Sequence, residues 1–451
     1  MSAPHHNRRL AQRPWVPRQS EELADAVIAS LPMAAAGLLG DTIEALIRRN
    51  AEIHDHESVN LNPATNTMSP RALAALSSGL GTRTSLGYIG AKYEMGLEAI
   101  EQIEVIAAEL AAVVFDASYA EVRVPSGAMA NLYAFMATTS PGDAIIVPPA
   151  NIAGHVTHHA PGAAGLYGLD VHEAPVDAER YTVDVEGLAT MADVVRPRLI
   201  TIGSSLNLTH HDVPTIRQIA DACGATVLFD AAHLSGPIAG KAWPNPLHEG
   251  AHIMTMSTYK SLAGPPAGLI VTNESDLAER IDAIAFPGLT ANFDVAKTAA
   301  LAITLAEWAD HGIDHANAML ENAGRLAAEL LALDVPIITC EGVATRSHAF
   351  AVDARDRGGG TALAHQLRLA NLLTSAIGLP IGADAGLRIG TNELTRLGAT
   401  PGDMLDLAAL LERSITATEP MSVAPATEAF RRRFHTVHFA EPLAGQGRQR
   451  A

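Results

Sequence analysis

From about residue 120 the chain alternates short apolar, β-branched runs with longer stretches whose apolar positions recur every three or four residues. The runs 121–124, 144–147, 199–203, 226–230, 251–256 and 268–271 read as buried strands, and the stretches 129–138, 213–223 and 277–286 between them read as helices. Such alternation predicts an α/β fold: a mostly parallel sheet flanked by helices. Ahead of it, Leu97, Ile100, Ile103, Ala107, Leu110 and Val114 form a helical stripe facing a core. After it come a long Ala- and Leu-rich helix at 295–333 and a smaller α/β unit, with strands at 336–340 and 348–352 and a helix at 363–373. The predicted organisation is an N-terminal arm with a leading helix (1–45), a large domain (46–310), a small C-terminal domain (311–420) and an irregular tail (421–451).

With 451 residues, 48% of them hydrophobic, the chain exceeds one ordinary core. Its net charge of -18 argues against nucleic acid or an anionic membrane as partner. The only two cysteines, Cys223 and Cys340, lie far apart and suggest neither a disulfide framework nor zinc, so a reducing cytoplasm is expected. No apolar run is long enough to span a bilayer. Arg8, Arg9, Arg13 and Arg18, with Pro14 and Pro17, lack the apolar segment of a secretory signal and read as a flexible arm. Arg431, Arg432 and Arg433 read as a solvated face.

Two runs carry the chemistry. One apolar run ends at Asp230, and thirty residues later another is followed by Lys260. In parallel α/β sheets ligands bind at the carboxyl ends of strands, so a lysine and a carboxylate would share one crevice. That is the equipment of a pyridoxal phosphate enzyme: the lysine forms a Schiff base with the aldehyde, and the aspartate keeps the pyridine nitrogen protonated. Each alone is equally a loop lysine or a turn aspartate. Ser126, Gly127 and Ala128 open a helix, as a phosphate site or a plain N-cap. His155, His158 and His159 have no acidic or thiol neighbour in sequence, so no metal is expected. One of them would stack on a cofactor ring, with His158 and His159 left without a role. Arg388, inside a short apolar strand, calls for a carboxylate, either a ligand's or a structural partner's.

In this order the pieces resemble the serine hydroxymethyltransferase family of fold type I pyridoxal phosphate enzymes, from about Gly40 to Leu411. The likeness includes Asn60-Leu61, Gly87-Tyr88, Tyr93, Pro125-Ser126-Gly127, Gly154-His155, Asp230-Ala231-Ala232-His233, the Lys260 run and Gly386-Leu387-Arg388. It implies Lys260 as the Schiff-base lysine, Asp230 on the pyridine nitrogen, His155 on the ring and His233 beside the cofactor. It further implies Ser126, Gly127 and Ala128 at the phosphate, Ser205 and Thr258 around the cofactor, and Arg388 on the substrate carboxylate. Family members share active sites across a dimer, which implies a homodimer or dimer of dimers with the Tyr93 segment reaching the neighbouring subunit.

The departures bear on the reaction. Leu86 stands where the family has a glutamate active in the folate-dependent step, Glu94 where it has a second tyrosine, and Ala64-Thr65-Asn66 where it has Ser-Glu-Asn. Tyr259 replaces a histidine, Pro266 an arginine, and 288–291 a glycine-rich stretch. Glu94 then either takes over proton transfer or, with Tyr93 and Thr65, helps select the substrate side chain; the alternative is a surface carboxylate. The expected activity makes or breaks the Cα–Cβ bond of a β-hydroxy-α-amino acid, as aldolase, transaldolase or hydroxymethyltransferase, without strict dependence on tetrahydrofolate. The alternatives are transamination, racemisation or elimination on the same cofactor, or a non-catalytic cofactor-binding relative.

Overall fold

The computed structural model describes residues 10–31 and 36–442 and divides the chain into a short N-terminal unit, Met1–Ser58, and a body, Val59–Ala451. In the N-terminal unit, helix Arg18–Ser30 starts directly after Pro17, so the expected arm is helical from residue 18. Arg13 pairs with Glu21 at 2.8 Å and Arg18 with Glu22 at 2.6 Å. Arg8 and Arg9 lie outside the described residues. A second helix, Ala36–Ala51, runs into a wider turn, Glu52–Glu57, tied back by an ion pair between Arg49 and Glu57.

The body is built on a seven-stranded sheet. Its strands are β1 (Tyr119–Glu121), β2 (Ala144–Val147), β3 (Asp170–Glu173), β4 (Leu199–Ile202), β5 (Thr226–Asp230), β6 (Ile253–Ser257) and β7 (Gly268–Thr272), in spatial order β1-β7-β6-β5-β4-β2-β3. Both faces are covered. Val227 and Phe229 point into one core while Leu228 between them points into another, and Met254 and Ile253 divide the same way. That is why these strands read as continuous apolar runs rather than alternating ones. Of these seven strands β7 alone points the opposite way, because the connection from Ser257 to Gly268 holds no crossover helix and a parallel return needs one. The sequence reading missed β3, whose Asp-Val-His-Glu sequence is that of a half-exposed edge strand.

A 38-residue helix, Val295–Ala332, follows, and it passes unbroken through position 310, where the division between domains was expected. Beyond it, β8 (Ala349–Asp353), β9 (Ser375–Leu379) and β10 (Gly382–Gly390) form an antiparallel sheet in the order β8-β10-β9, backed by helix Gly360–Leu369. The run 336–340 makes only isolated bridges, Ile337 to Val352 and Cys340 to Val343, and is not a strand. The tail is not irregular throughout, since helix Ala424–Arg431 lies within it. Of the arginine triplet, Arg431 is buried rather than solvated, while Arg432 and Arg433 are exposed as expected and pair with Glu428 and with Asp403 and Asp406.

Candidate active site

Asp230 is the last residue of β5, and Lys260 follows the end of β6 by three; β5 and β6 are adjacent and parallel, with Asp230 in register with Thr255. The two side chains therefore open on one pocket of about 500 Å3 at the carboxyl edge of the sheet. The lysine loop is tightly closed. The N–H of Gly264 donates to the Thr258 carbonyl at 2.7 Å, the N–H of Ala263 donates to the Lys260 carbonyl at 3.0 Å, and Ala263 itself sits at φ 58°. A left-handed conformation costs a non-glycine residue roughly 1–2 kcal/mol, which the closed loop sustains. Thr258, expected around the cofactor, is instead spent on this turn: fully buried, its hydroxyl lies 2.5 Å from the Pro265 carbonyl and accepts the Ala267 N–H at 3.2 Å.

Ser126 caps helix Gly127–Thr138, its side chain accepting from the Met129 N–H at 3.2 Å, and the N–H groups of Gly127 and Ala128 open on the same pocket. Glycine is required at 127, because a Cβ there would stand 2.0 Å from the Ser257 hydroxyl. Gly203, just past β4 at φ 89°, likewise lies where a Cβ would meet the Asp230 carbonyl at 2.2 Å.

Asp230 is 6% exposed and sits in a dense network. One carboxylate oxygen accepts from the Asn131 amide at 2.9 Å and lies 2.9 Å from His158 Nε2; the other accepts the Ala232 N–H at 3.0 Å. Burial pushes this carboxyl up, but the hydrogen bonds and charge from His158, with His155 and Asn131, outweigh it and hold Asp230 well below the usual carboxylate range. Asn131 is oriented in turn by the Thr255 hydroxyl, which donates to its carbonyl at 2.7 Å. Burial drives the Lys260 amine down to about 8, the Asp230 charge opposing only part of the shift. Burial lowers His155 in the same way.

Arg388 lies on β10 and is 6% exposed. Its guanidinium donates to the Ser205 carbonyl at 2.5 Å and the Ser375 hydroxyl at 3.1 Å, and it lies 3.4 Å from His233 Nε2. Among the described residues no carboxylate forms an ion pair with it. Burial, reinforced by the Lys260 and Arg388 charges, holds His233 neutral, well below its ordinary value. Because arginine has only donors, His233 presents the Nε2 lone pair to it, which leaves the proton on Nδ1. Among the described residues that Nδ1 has no hydrogen-bond partner, and neither ring nitrogen of His348 has one. His348 is pushed down to about 3 by burial and the Arg388 charge.

Lys260, Asp230, His155, His233, Ser126, Gly127, Ala128 and Ser205 thus line one pocket, with Arg388 bonded to two of its wall residues. Tyr93, Glu94 and Thr65 do not reach it. Tyr93 is 79% exposed, the Glu94 carboxylate accepts the Leu86 N–H at 3.0 Å, and the Thr65 hydroxyl accepts from the Asn60 amide at 2.7 Å. The three clustered histidines diverge: His155 meets Thr157, His158 meets Asp230, and His159 lies 3.3 Å from Glu173. Sequence reasoning left His158 without a role and did not find Asn131. The latter was legible, since it lies one helical turn after Gly127 and so on the same face. A larger cavity, about 820 Å3, lies at the β1 edge of the sheet against Tyr88, Glu104 and Arg123 and contains none of this chemistry.

The pocket suits pyridoxal phosphate on its own features: free N–H groups at a helix start for a phosphate, a carboxylate held ionised for a ring nitrogen, and a buried amine of lowered basicity for an aldehyde. Comparison with known proteins adds the following. The serine hydroxymethyltransferase family model matches residues 40–411. An alpha-methylserine aldolase of Variovorax paradoxus is 56% identical over 430 residues, covering 94% of this chain and 97% of that protein. An alpha-methylserine aldolase of a Ralstonia species is 49% identical over 439 residues, covering 95% and 99%. A serine hydroxymethyltransferase of Methanopyrus kandleri is 36% identical over 381 residues, covering 83% and 89%.

Proposed function

Because this chain belongs to the serine hydroxymethyltransferase family of fold type I pyridoxal phosphate enzymes, we propose that it is an aldolase for α-methylserine that works without tetrahydrofolate. It makes or breaks the Cα–Cβ bond of a β-hydroxy-α-amino acid. The finer reading is carried by the relatives: those 49–57% identical are named alpha-methylserine aldolases, and those named serine hydroxymethyltransferases are 33–37% identical. The leucine at position 86, in place of an acid, agrees with it.

Pyridoxal phosphate supplies an aldehyde that captures the substrate amine and a protonated ring that takes up the electron pair of the broken bond. In this reading the Lys260 amine, with its pKa pushed down to about 8, holds the aldehyde between turnovers, a usable share being the neutral nucleophile at neutral pH. Asp230, held ionised by His158 and Asn131, would accept a hydrogen bond from the ring nitrogen and so keep it protonated. His155, on the pocket wall, would lie against the ring, and the N–H groups of Gly127 and Ala128, with Ser126, would take the phosphate. Arg388, which pairs with no carboxylate among the described residues, would grip the substrate carboxylate bidentately and so fix which Cα bond stands ready to break.

α-Methylserine has no hydrogen on Cα, so proton abstraction there, the first step of transamination or racemisation, has nothing to act on. Overall, the Cα–Cβ bond of α-methylserine would break as the hydroxyl proton leaves to a base and Cα gains a proton, so that one substrate yields one formaldehyde and one alanine. Glu94 is the proposed base, ionised because the Leu86 N–H, the Thr84 hydroxyl and the Lys92 charge hold its pKa down. Since Glu94 does not reach the pocket of its own chain, the reading requires a homodimer in which the Tyr93–Glu94 segment serves the neighbouring subunit. Exposed Ile89, Tyr93 and Met95 around that segment, and Ile43, Leu46 and Ile47 on helix Ala36–Ala51, support it. Among the described residues no helix is long and apolar enough to cross a membrane. The two free cysteines fit a reducing cytoplasm.

The test is formaldehyde release from α-methylserine and from serine, with and without tetrahydrofolate. The expected result is release from α-methylserine at a rate that folate does not change. Strict dependence on folate would overturn the reading.

A further inference from the structure

The segment that carries Tyr93 and Glu94 is anchored by a buried charge pair. Gly87–Tyr88 pairs antiparallel with Ala91–Lys92, and the N–H of Tyr93 donates to the Leu86 carbonyl at 2.8 Å. Lys92 turns inward. Its side chain is 3% exposed, and its ammonium lies 2.8 Å from the carboxylate of Glu104, itself 5% exposed. The same ammonium donates to the Gly87 carbonyl at 3.0 Å, and the buried Ser85 hydroxyl donates to the other Glu104 oxygen at 2.8 Å. Glu104 belongs to helix Glu98–Phe115, which is held by buried Ile100, Ala107 and Ala111.

Taking two charges out of water costs several kcal/mol each, and their attraction roughly repays it, so two packed apolar side chains would stabilise the fold as well. What the charges add is direction. Ser85 and Lys92 are both tied to one carboxylate on a rigid helix, and the Lys92 ammonium in turn holds the Gly87 carbonyl, which fixes the hairpin from both strands. Its backbone then presents the Leu86 N–H on which the Glu94 carboxylate rests at 3.0 Å.

We propose that Lys92, Glu104 and Ser85 are positioning residues that set Glu94, and the exposed Tyr93 beside it, for the reaction. This rests on the reading of Glu94 as the base. None of the three lines the Lys260 pocket of its own chain, so their effect is separable from loss of the cofactor.

Two variants of the holoenzyme test it: Ser85→Ala, which keeps the charge pair, and Lys92→Met with Glu104→Leu, which strands no buried charge as either single change would. The readouts are hydrogen exchange at the Leu86 and Tyr93 amides, and kcat and KM for α-methylserine. The expected result is exchange faster by about tenfold or more at these amides, with helix Val295–Ala332 unchanged, together with a fall of about tenfold in kcat at nearly constant KM. Unchanged exchange overturns the proposal; faster exchange at unchanged kcat also does, since the network is then structural only. Glu94→Gln serves as the separate arm. Wild-type turnover in that variant removes Glu94 as the base, while the exchange data still decide whether the network positions the segment.

Discussion

Lys260 opposes its own environment. Burial lowers its pKa from 10.5 to about 8 and the nearby Asp230 charge recovers only part of that. In the cofactor-free protein the unfolded chain therefore binds more protons than the folded one between pH 8 and 10.5, and stability rises with pH across that window. Below pH 8 the whole penalty is present, on the order of 3 kcal/mol at 1.36 kcal/mol per unit. Lys260→Met should raise the melting temperature of the cofactor-free protein at pH 7 and lose the advantage as pH approaches 10.5. A variant no more stable than wild type at pH 7 would show that the amine is not desolvated. At this scale the sequence was informative where one polar residue interrupts or ends an apolar run, as at Asp230, Lys260 and Arg388. It left His158 without a role although the residue stands three positions from His155, and it was silent on His348, which comes from a distant segment and looks like any other histidine.

Among the elements, those bounded by strong local signals were read correctly. Helix Val213–Cys223 is capped by Asp212, carries Pro214 in its first turn and ends at Gly224 in the left-handed conformation, so both ends are written in the sequence. β2 and β5 are buried on both faces, and their apolar runs match the observed bounds. Where burial is one-sided the signal failed. β3 is a polar edge strand, and 336–340 looks like a strand but finds too little to pair with. Helix Ala424–Arg431 was hidden by the arginines that follow it, because the sequence does not tell that Arg431 folds inward and donates to the Phe434 carbonyl. The Lys260 turn belongs here too: the lysine was legible, but not the closed loop with Ala263 in a left-handed conformation.

For the whole molecule, the pocket edge and the Tyr93–Glu94 segment lie apart in one chain, and the account joins them across a symmetric dimer. Coexpressing a Lys260→Ala subunit with a Glu94→Gln subunit should restore activity that neither variant has alone, to about a quarter of wild type, since random pairing leaves one intact site in half of the dimers. No recovery in purified hybrids would place both groups in the same subunit's site. The central claim, however, is the bond that breaks. It is tested most directly by following α-methylserine in D2O by proton NMR, without folate. The account predicts formaldehyde and alanine in equal amounts, with one solvent deuteron on the alanine Cα. Carbon dioxide release, or unconsumed α-methylserine in the presence of bound cofactor, would contradict it.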